Sequence, residues 1–304
     1  MTDATAYSTC AVVVVYRPDL AVLSRLLAAL RGQVGAIVVV NDTGGPVLGL
    51  QALADHRRAQ LIDGKHNRGL AAAQNLGIAW ARSHSFTYVL FSDQDSVAAP
   101  GMVPALLHAL TNAPQEARIA AVGPIFHDPR ETAVSTFVRI GFPLNLKLCC
   151  QYPEQVLECD FLISSGTLVP LAVLDDVGAM DEGLFIDNID LEWSFRARAR
   201  GYVLRGVCAA TMQHHLGDTR YRLPFNLGQV VVHGPPRLYY MMRNRILLYR
   251  MRHVPIVWKL QDFPRLLVKL LLFCVLVGPR GRNLRFMVRG IWDGLHGRRG
   301  KLPA

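Results

Sequence analysis

The sequence predicts an α/β fold built on a mostly parallel, doubly wound sheet, and three observations carry that expectation. Short β-branched runs alternate with helical stretches through the first 125 residues. Those runs are apolar throughout, as expected of strands covered on both faces. Polar residues gather just after them, where open α/β sheets hold ligands.

Residues 10–16 (CAVVVVY) read as the first strand. Pro18 then opens a helix to about residue 30, with Leu23, Leu26, Leu27 and Leu30 at helical spacing. Residues 36–40 (AIVVV) form a second buried strand, ending in the turn Asn41-Asp42-Thr43-Gly44-Gly45. A helix over 48–58, a short strand over 59–63 and a helix over 69–82 follow. Residues 86–92 (FTYVLFS) are the next strand, closed by Asp93-Gln94-Asp95. Pro100 starts another helix, and 119–123 is a fifth strand. From 126 to 160 the pattern is less regular, with strand-like pieces at 133–140 and 156–163. Then come Ser164-Ser165-Gly166-Thr167, a helix after Pro170, and an acidic cluster at 187–192 leading into SFRARARGY. A strand over 202–207 ends near His214-His215, and beyond Gly234 the chain reads as helical and basic.

Composition excludes several classes. With 51% hydrophobic and 18% charged residues over 304 positions, disorder is not the main state. Gly and Pro are not periodic, and there is no internal repeat. From Arg237 onward fifteen Lys and Arg face two acids, a net of +13, so the first 236 residues carry −3 of the total +10. One end of the chain is a basic module, suited to nucleic acid or an anionic membrane. The six cysteines form no CxxC pair and no zinc spacing, and read as small hydrophobes. The opening MTDATAYSTC has no basic n-region and no long apolar stretch, so a reduced, cytoplasmic protein is expected.

Four polar features fall at the carboxyl ends of the strands: Tyr16-Arg17, Asn41-Asp42, Asp63 with Asn67-Arg68-Gly69, and Asp93-Gln94-Asp95. No GxGxxG or GxxxxGK[ST] loop accompanies them, which weighs against dinucleotide and P-loop sites. Carboxylates stand where those folds place glycines, so a metal bridging protein and ligand phosphate is the expectation. Asp93 and Asp95 are two apart on extended backbone and address one cation, with oxygen donors suited to Mg²⁺ or Mn²⁺. The plain alternative, a solvated turn, is weakened by the apolar strand before it.

Asp187, Asp190 and Glu192 open the helix running to about residue 200. A structural reading is available: Asp187-x-x-Asp190 resembles a capping box, and Glu192 pairs with Arg196 at i,i+4. Against it, Phe185, Ile186, Ile189, Leu191 and Trp193 would bury these acids, raising a carboxylate's pKa and its basicity. Both readings stay open on the residues alone. His214 suits a third ligand on a metal already held by carboxylates, although a lone histidine is more often structural.

These pieces resemble a family. VVVVYRPD, VVVNDTGG, HNRGLAAAQNLGIAWA, FSDQDS, FLISSGTL, LFIDNIDLEWSFRARARGY and HHLGD run in order from residue 11 to 218, about two thirds of the chain. Together they resemble the inverting family 2 glycosyltransferases of GT-A fold, in their bacterial rhamnosyltransferase branch. One departure is that Asn41-Asp42 stands where many relatives have Asp-Asn, leaving open which contacts the nucleotide.

The resemblance implies a GT-A type, Rossmann-like sheet flanked by helices, with a basic helical C-terminal extension. Residues 1–233 would be catalytic, 1–125 for the nucleotide sugar and 126–233 for acceptor and base, and 234–304 the extension. Asp190 falls at the catalytic base, six residues before Arg196. Asp93 and Asp95 match the DxD motif, and His214 the histidine that completes the metal site. Tyr16, Arg17, Asn41, Asp42, Asp63, Asn67, Arg68, Gly69, Asn75, Asp93 and Gln94 would bind the donor. Ser164, Ser165, Gly166, Asp187, Glu192 and Trp193 would face the acceptor. The implied reaction moves L-rhamnose from dTDP-L-rhamnose to a hydroxyl of a lipid-linked glycan in cell-surface polysaccharide synthesis.

Two other classes compete. A sugar nucleotidyltransferase would show a Gly-rich basic loop after the first strand, and Tyr16-Arg17-Pro18-Asp19 is not one. A nucleic-acid binder is disfavoured, since the basic tail is rich in Leu and Phe and lacks a recognised motif. The stretch 254–277 instead reads as an amphipathic helix, with Lys259, Asp262, Arg265 and Lys269 on one stripe and a wide apolar face. With Arg280, Arg282, Arg285 and Arg289 it suits an anionic membrane surface on the cytoplasmic side. The alternatives are packing onto the catalytic part or onto a second copy in a homo-oligomer.

Overall fold

The computed structural model describes residues 8–114, 116–127, 135–214, 219–222 and 229–303. Strands β1 (Thr9–Val15), β2 (Ala36–Asn41), β3 (Gln60–Asp63) and β4 (Tyr88–Asp93) form the parallel half of the sheet, in the order β3-β2-β1-β4. β1 is buried along its whole length. Its alternate residues serve two cores: Val12 and Val14 one face, Ala11, Val13 and Val15 the other. This is why the run reads as unbroken hydrophobicity.

Helices α1 (Leu20–Leu30), α2 (Leu50–Arg57) and α4 (Met102–Thr111) cover one face of the sheet. On the other face lie α3 (Leu70–Ser83), α5 (Leu171–Val177) and α6 (Ile189–Ala199). α1 starts two residues later than its proline suggests. Asp19 is the N-cap, its carboxylate accepting from the N–H groups of Ala21 and Val22.

The second half of the sheet departs from the sequence reading. β5 (Ser96–Ala98) follows β4 at once, β6 (Ile119–His127) runs four residues longer than expected, and β9 (Val156–Cys159) stops four short. Between β4 and β6 lies β10 (Leu168–Pro170), antiparallel to both. Three residues are too few for any period to show. β11 (Val203–His214) continues seven residues past its expected end, parallel to β6 and antiparallel to β9 and β5. Small two-stranded sheets pair β7 (Phe137–Arg139) with β8 (Leu146–Leu148), and β12 (Thr219–Arg222) with β13 (Gln229–Val232). Cys150 and Cys208 are joined as a disulfide, which corrects the expectation that every cysteine is reduced.

The basic C-terminal region forms α7 (Pro235–Arg250), α8 (Ile256–Val275) and α9 (Arg280–Leu295). α7 is no loose appendage, because Leu247 and Leu248 belong to the main core. α9 packs on α7 so closely that a Cβ on Gly290 would lie 2.4 Å from the carbonyl oxygen of Tyr239. Residues beyond α9 cross back over the catalytic part: Arg299 pairs with Asp181, and Gly300 N–H donates to Gly183 O at 2.7 Å.

α8 faces the opposite way from a surface helix. Its polar Gln261 and Asp262 are buried together with Trp258, Leu266 and Phe273. Asp262 accepts from the Tyr249 hydroxyl at 2.7 Å and pairs with Arg245 at 3.3 Å. Lys259 donates to Met251 O, and burial pushes the Lys269 ammonium down to about 8. Of the stripe residues, Asp262 is buried and Lys259 and Lys269 are half-buried against the protein, while Arg265 is exposed. Ile256, Leu260, Phe263, Leu267 and Leu271 face out, each about half exposed or more. Among the described residues no helix is long and apolar enough to cross a membrane.

Candidate active site

The parallel register ranks the polar strand ends along one edge. Asn41 stands opposite Val15 and Asp63, and Asp93 opposite Val14. Asn41 is fully buried and works within this edge: its Nδ2 donates to Gly45 O and to Asp63 Oδ1, and its Oδ1 accepts from Thr43 N–H. Asp42 turns its carboxylate onto the start of α3, accepting from Arg68 N–H at 2.7 Å and Gly69 N–H at 2.9 Å. Burial pushes its carboxyl above the ordinary range even with those two donors. Both residues thus build the turns that present Asp63, Asn67 and Arg68. Arg17 N–H is tied to Thr43 Oγ1, and Lys301, behind α9, reaches Asn67 O.

Gln94 and Tyr16 clasp each other through side chain and backbone. Gln94 Oε1 accepts from Tyr16 N–H at 2.8 Å, and its Nε2 donates to Tyr16 O at 3.2 Å. Asp93 N–H donates to the buried Ser165 Oγ, which also meets Ser96 Oγ at 2.7 Å. Ser165 is thus a strut under Asp93-x-Asp95 rather than part of an open wall. Gly166 is likewise interior: φ is +81°, and a Cβ there would strike Met212 and Pro124.

Asp190 is partly buried in the first turn of α6. Its Oδ1 accepts from Leu191 N–H at 2.8 Å and its Oδ2 from Ser164 N–H at 3.3 Å. Behind it is a small apolar cavity lined by Phe91, Leu162, Val169 and Trp193. Desolvation pushes its carboxyl up to about 6, and the charges of Asp93 and Asp187 add to the rise. A carboxylate poised there is a competent general base near neutral pH. The same coupling places Asp190 and the Asp93 strand end in one electrostatic neighbourhood.

The loop before α6 is strained. Phe185, Asp187 and Asn188 all have φ near +65°, a conformation costing about 1–2 kcal/mol per non-glycine residue. Asn188 is the N-cap and makes no side-chain cap bond, so the capping-box alternative is not what forms. Asp187 is gripped by Arg237 of α7, whose Nε and Nη2 lie 3.0–3.2 Å from its carboxylate.

Other expected site residues are committed elsewhere. Asn75 ties α3 to Met180 and Glu182. Glu192 is buried between both ends of Arg196 and His253 Nε2, all at 2.9 Å. Burial pushes its carboxyl up, but His253 and Arg196 outweigh that and hold it below the ordinary range. Trp193 Nε1 donates to Gly178 O. Trp193 also lines the small cavity behind Asp190, whereas Asn75 and Glu192 are engaged by these other partners. His214 pairs in register with Ser96, next to Asp95, and its side chain lies outside the described residues. The sequence reading missed Ser96, Thr43, Arg237, Arg243, Asn244 and Lys301. Only the odd RNR inside an apolar helix, at Arg243–Arg245, offered a signal.

Comparisons with known proteins agree with this geometry. The model of the family "Glycosyl transferase family 2" matches residues 10–163. The chain is 31% identical to the dTDP-rhamnosyl transferase RfbF of Shigella flexneri over 292 residues, 95% of each protein. Among solved structures, it resembles GalNAc-T7 crystallised with UDP, GalNAc and Mn²⁺ (TM-score 0.56, 12% identity, covering 84% of this chain and 54% of that one). It also resembles S. aureus TarS (TM-score 0.55, 12% identity, covering 95% and 48%). TarS 1–349 with UDP-GlcNAc gives a TM-score of 0.55 at 14% identity, covering 95% and 81%. The chain thus spans about half the length of the first two solved chains.

Proposed function

Because this chain belongs to glycosyl transferase family 2, we propose that it transfers L-rhamnose from dTDP-L-rhamnose, with inversion, to a hydroxyl of a lipid-linked glycan in cell-surface polysaccharide synthesis. The observation that carries the donor is the 31% identity to a dTDP-rhamnosyl transferase across 95% of both chains. Asp190 takes the proton of the acceptor hydroxyl as its oxygen attacks the anomeric carbon. The bond from that carbon to the diphosphate oxygen breaks, and dTDP leaves with the electron pair. Ser164 N–H and Leu191 N–H hold the two carboxylate oxygens while this happens. Asp63, Arg68 and Tyr16 are the exposed donor contacts at the strand ends.

Asp93 and Asp95 fit a divalent cation, since they offer hard oxygen donors two apart at a strand end, and His214 sits in register beside them. A bound Mg²⁺ or Mn²⁺ would supply charge neutralisation at the departing diphosphate. The chain's own part is to hold that pair rigid through Ser165, Ser96 and Gln94.

The outward apolar face of α8 supports the lipid-linked acceptor and a seat on the inner face of the plasma membrane. α9 likewise exposes Val288 and Trp292, beside Arg285 and Arg289. From Arg237 onward the only acids, Asp262 and Asp293, are both buried. A second copy docked symmetrically on this face would set arginine against arginine with no carboxylate between them. Anionic lipid supplies the missing charge.

The deciding experiment is a donor screen. Purified enzyme is offered each nucleotide sugar with divalent metal, and release of nucleoside diphosphate is measured. Release of dTDP from dTDP-L-rhamnose above all others is expected. Preference for a UDP- or GDP-sugar would overturn the donor assignment.

A further inference from the structure

α7 buries an arginine that a hydrophobic core has no use for. Arg243 and its neighbour Asn244 are both fully buried. Burying a guanidinium is costly, and an apolar side chain of similar volume often serves stability as well or better. What Arg243 does is hold other groups. Its Nε and Nη2 donate to Asn244 Oδ1 at 3.0 and 2.9 Å, and Nη2 also reaches Leu184 O at 2.8 Å and Gly183 O at 3.2 Å. Its Nη1 donates to Gly300 O, and the rings of Tyr239 and Tyr240 flank it at 5.5 and 5.0 Å.

With Oδ1 fixed by the arginine, the Asn244 amide nitrogen has one direction left. It donates to the carbonyls of Leu184, Ile186 and Asp187 at 2.9, 2.8 and 2.8 Å. Those are the carbonyls of the strained loop whose φ values near +65° need outside support. The loop leads directly into Ile189 and Asp190. Tyr240 stacks on Phe185 at 4.9 Å, and Arg237 grips Asp187, so α7 holds the loop at each of its residues from 184 to 187.

We propose that Arg243 and Asn244 are positioning residues for the transfer step: they set the 183–188 loop so that the Asp190 carboxylate meets the acceptor oxygen. The inference rests on the reading of Asp190 as the base.

The test compares Arg243→Met, Arg243→Lys and Asn244→Ala with wild type and Asp190→Asn. For each, thermal stability, dTDP affinity by calorimetry with Mn²⁺, and hydrolysis of dTDP-L-rhamnose with water as acceptor are measured. Arg243→Met is expected to melt no lower than wild type and to keep dTDP affinity and donor KM within about two-fold. Its kcat should fall about 10²-fold, the scale of an ångström's misplacement. Arg243→Lys should not rescue kcat, because one ammonium cannot hold Asn244 and the loop together. If Arg243→Met does not fold, Asn244→Ala, which keeps the cation, decides by the same split. Unchanged kcat in the folded variants, or kcat and dTDP affinity falling together with melting temperature, would overturn the inference. A wild type that releases no dTDP, or an active Asp190→Asn, would instead overturn the reading on which it rests.

Discussion

Gly69, on the proposed donor side, and Phe185, on the loop leading to the proposed base, are in tight contact. A Cβ on Gly69 would lie 2.5 Å from the Phe185 ring and 2.6 Å from its carbonyl oxygen, and Gly69 already has φ +91°. Gly69 is held by Asp42, and Phe185 by Tyr240, so the contact is clamped from both ends.

Gly69→Ala should therefore do more than remove a donor contact. Backbone strain and overpacking together are expected to cost about 2–4 kcal/mol of stability. Donor KM should rise and kcat fall together, because the two halves are displaced at once. Denaturant melts and steady-state kinetics on the same preparation check this.

Asp190→Asn keeps the shape of the base and removes its basicity. Turnover is expected to fall about 10²–10⁴-fold while dTDP binding, measured by calorimetry, survives. Near-normal turnover would move the role to another group.

The pH profile should show the same carboxyl. With Asp190 raised to about 6, kcat is expected to decline below about pH 6 as the base becomes protonated. Stability moves the other way. Its folded pKa lies above the ordinary 3.8, so wild type is relatively stabilised by protonation and loses that stability as pH rises from about 4 through 6. Asp190→Asn escapes this, and should be about 1–3 kcal/mol more stable than wild type at pH 7, with the gap closing near pH 4.

Asp95→Ala is expected to abolish the Mg²⁺ or Mn²⁺ dependence of dTDP binding, and His214→Ala to weaken it less completely. Calorimetric titration with and without EDTA reads both. Full wild-type activity in excess EDTA would contradict a metal role.

Leu260→Glu with Leu267→Glu places charge on the outward face of α8 without touching the site. Co-sedimentation with vesicles containing anionic phospholipid should drop at least ten-fold, and high salt should weaken binding of the unaltered protein. Point changes are the proper probe, because removing everything after residue 252 also deletes the segment that contacts Gly183. Equal sedimentation, together with a dimer in ultracentrifugation that the double variant abolishes, would assign the face to a second copy instead.

Much of this was readable in advance wherever one-dimensional pattern and three-dimensional role coincide. The CAVVVVY and AIVVV runs are strands because both faces are covered, and Asp93 and Asp190 announce themselves by following or opening such elements. β10 was not readable, since three residues between two longer strands carry no period. The stripe Lys259, Asp262, Arg265, Lys269 is legible as a stripe, but not that Asp262 is buried on Tyr249 and Arg245 while Arg265 stays exposed. Periodicity finds two faces and does not say which one the rest of the chain covers. Glu192 and Asn75 have the chemistry of site residues, and only their partners in space reveal them as braces. Arg243 and Asn244 were hidden for the opposite reason: they lie in a basic region whose charge invited an outward reading.

The reach of α7 and of Gly300 back to the loop at 183–188 also orders events in time. During synthesis the sheet and α6 emerge well before the residues that fix the loop. At about 5–20 residues per second, the 110 positions from Asp190 to Gly300 take about 6–20 s to make. Through that interval the nascent chain carries Asp190, Asp93 and Asp95, but not the residues proposed to align them. If Arg243 and Asn244 position Asp190 as proposed, a chain still on the ribosome is in this sense disarmed, and sugar transfer would await the closure of α7 and the segment after α9 on the loop.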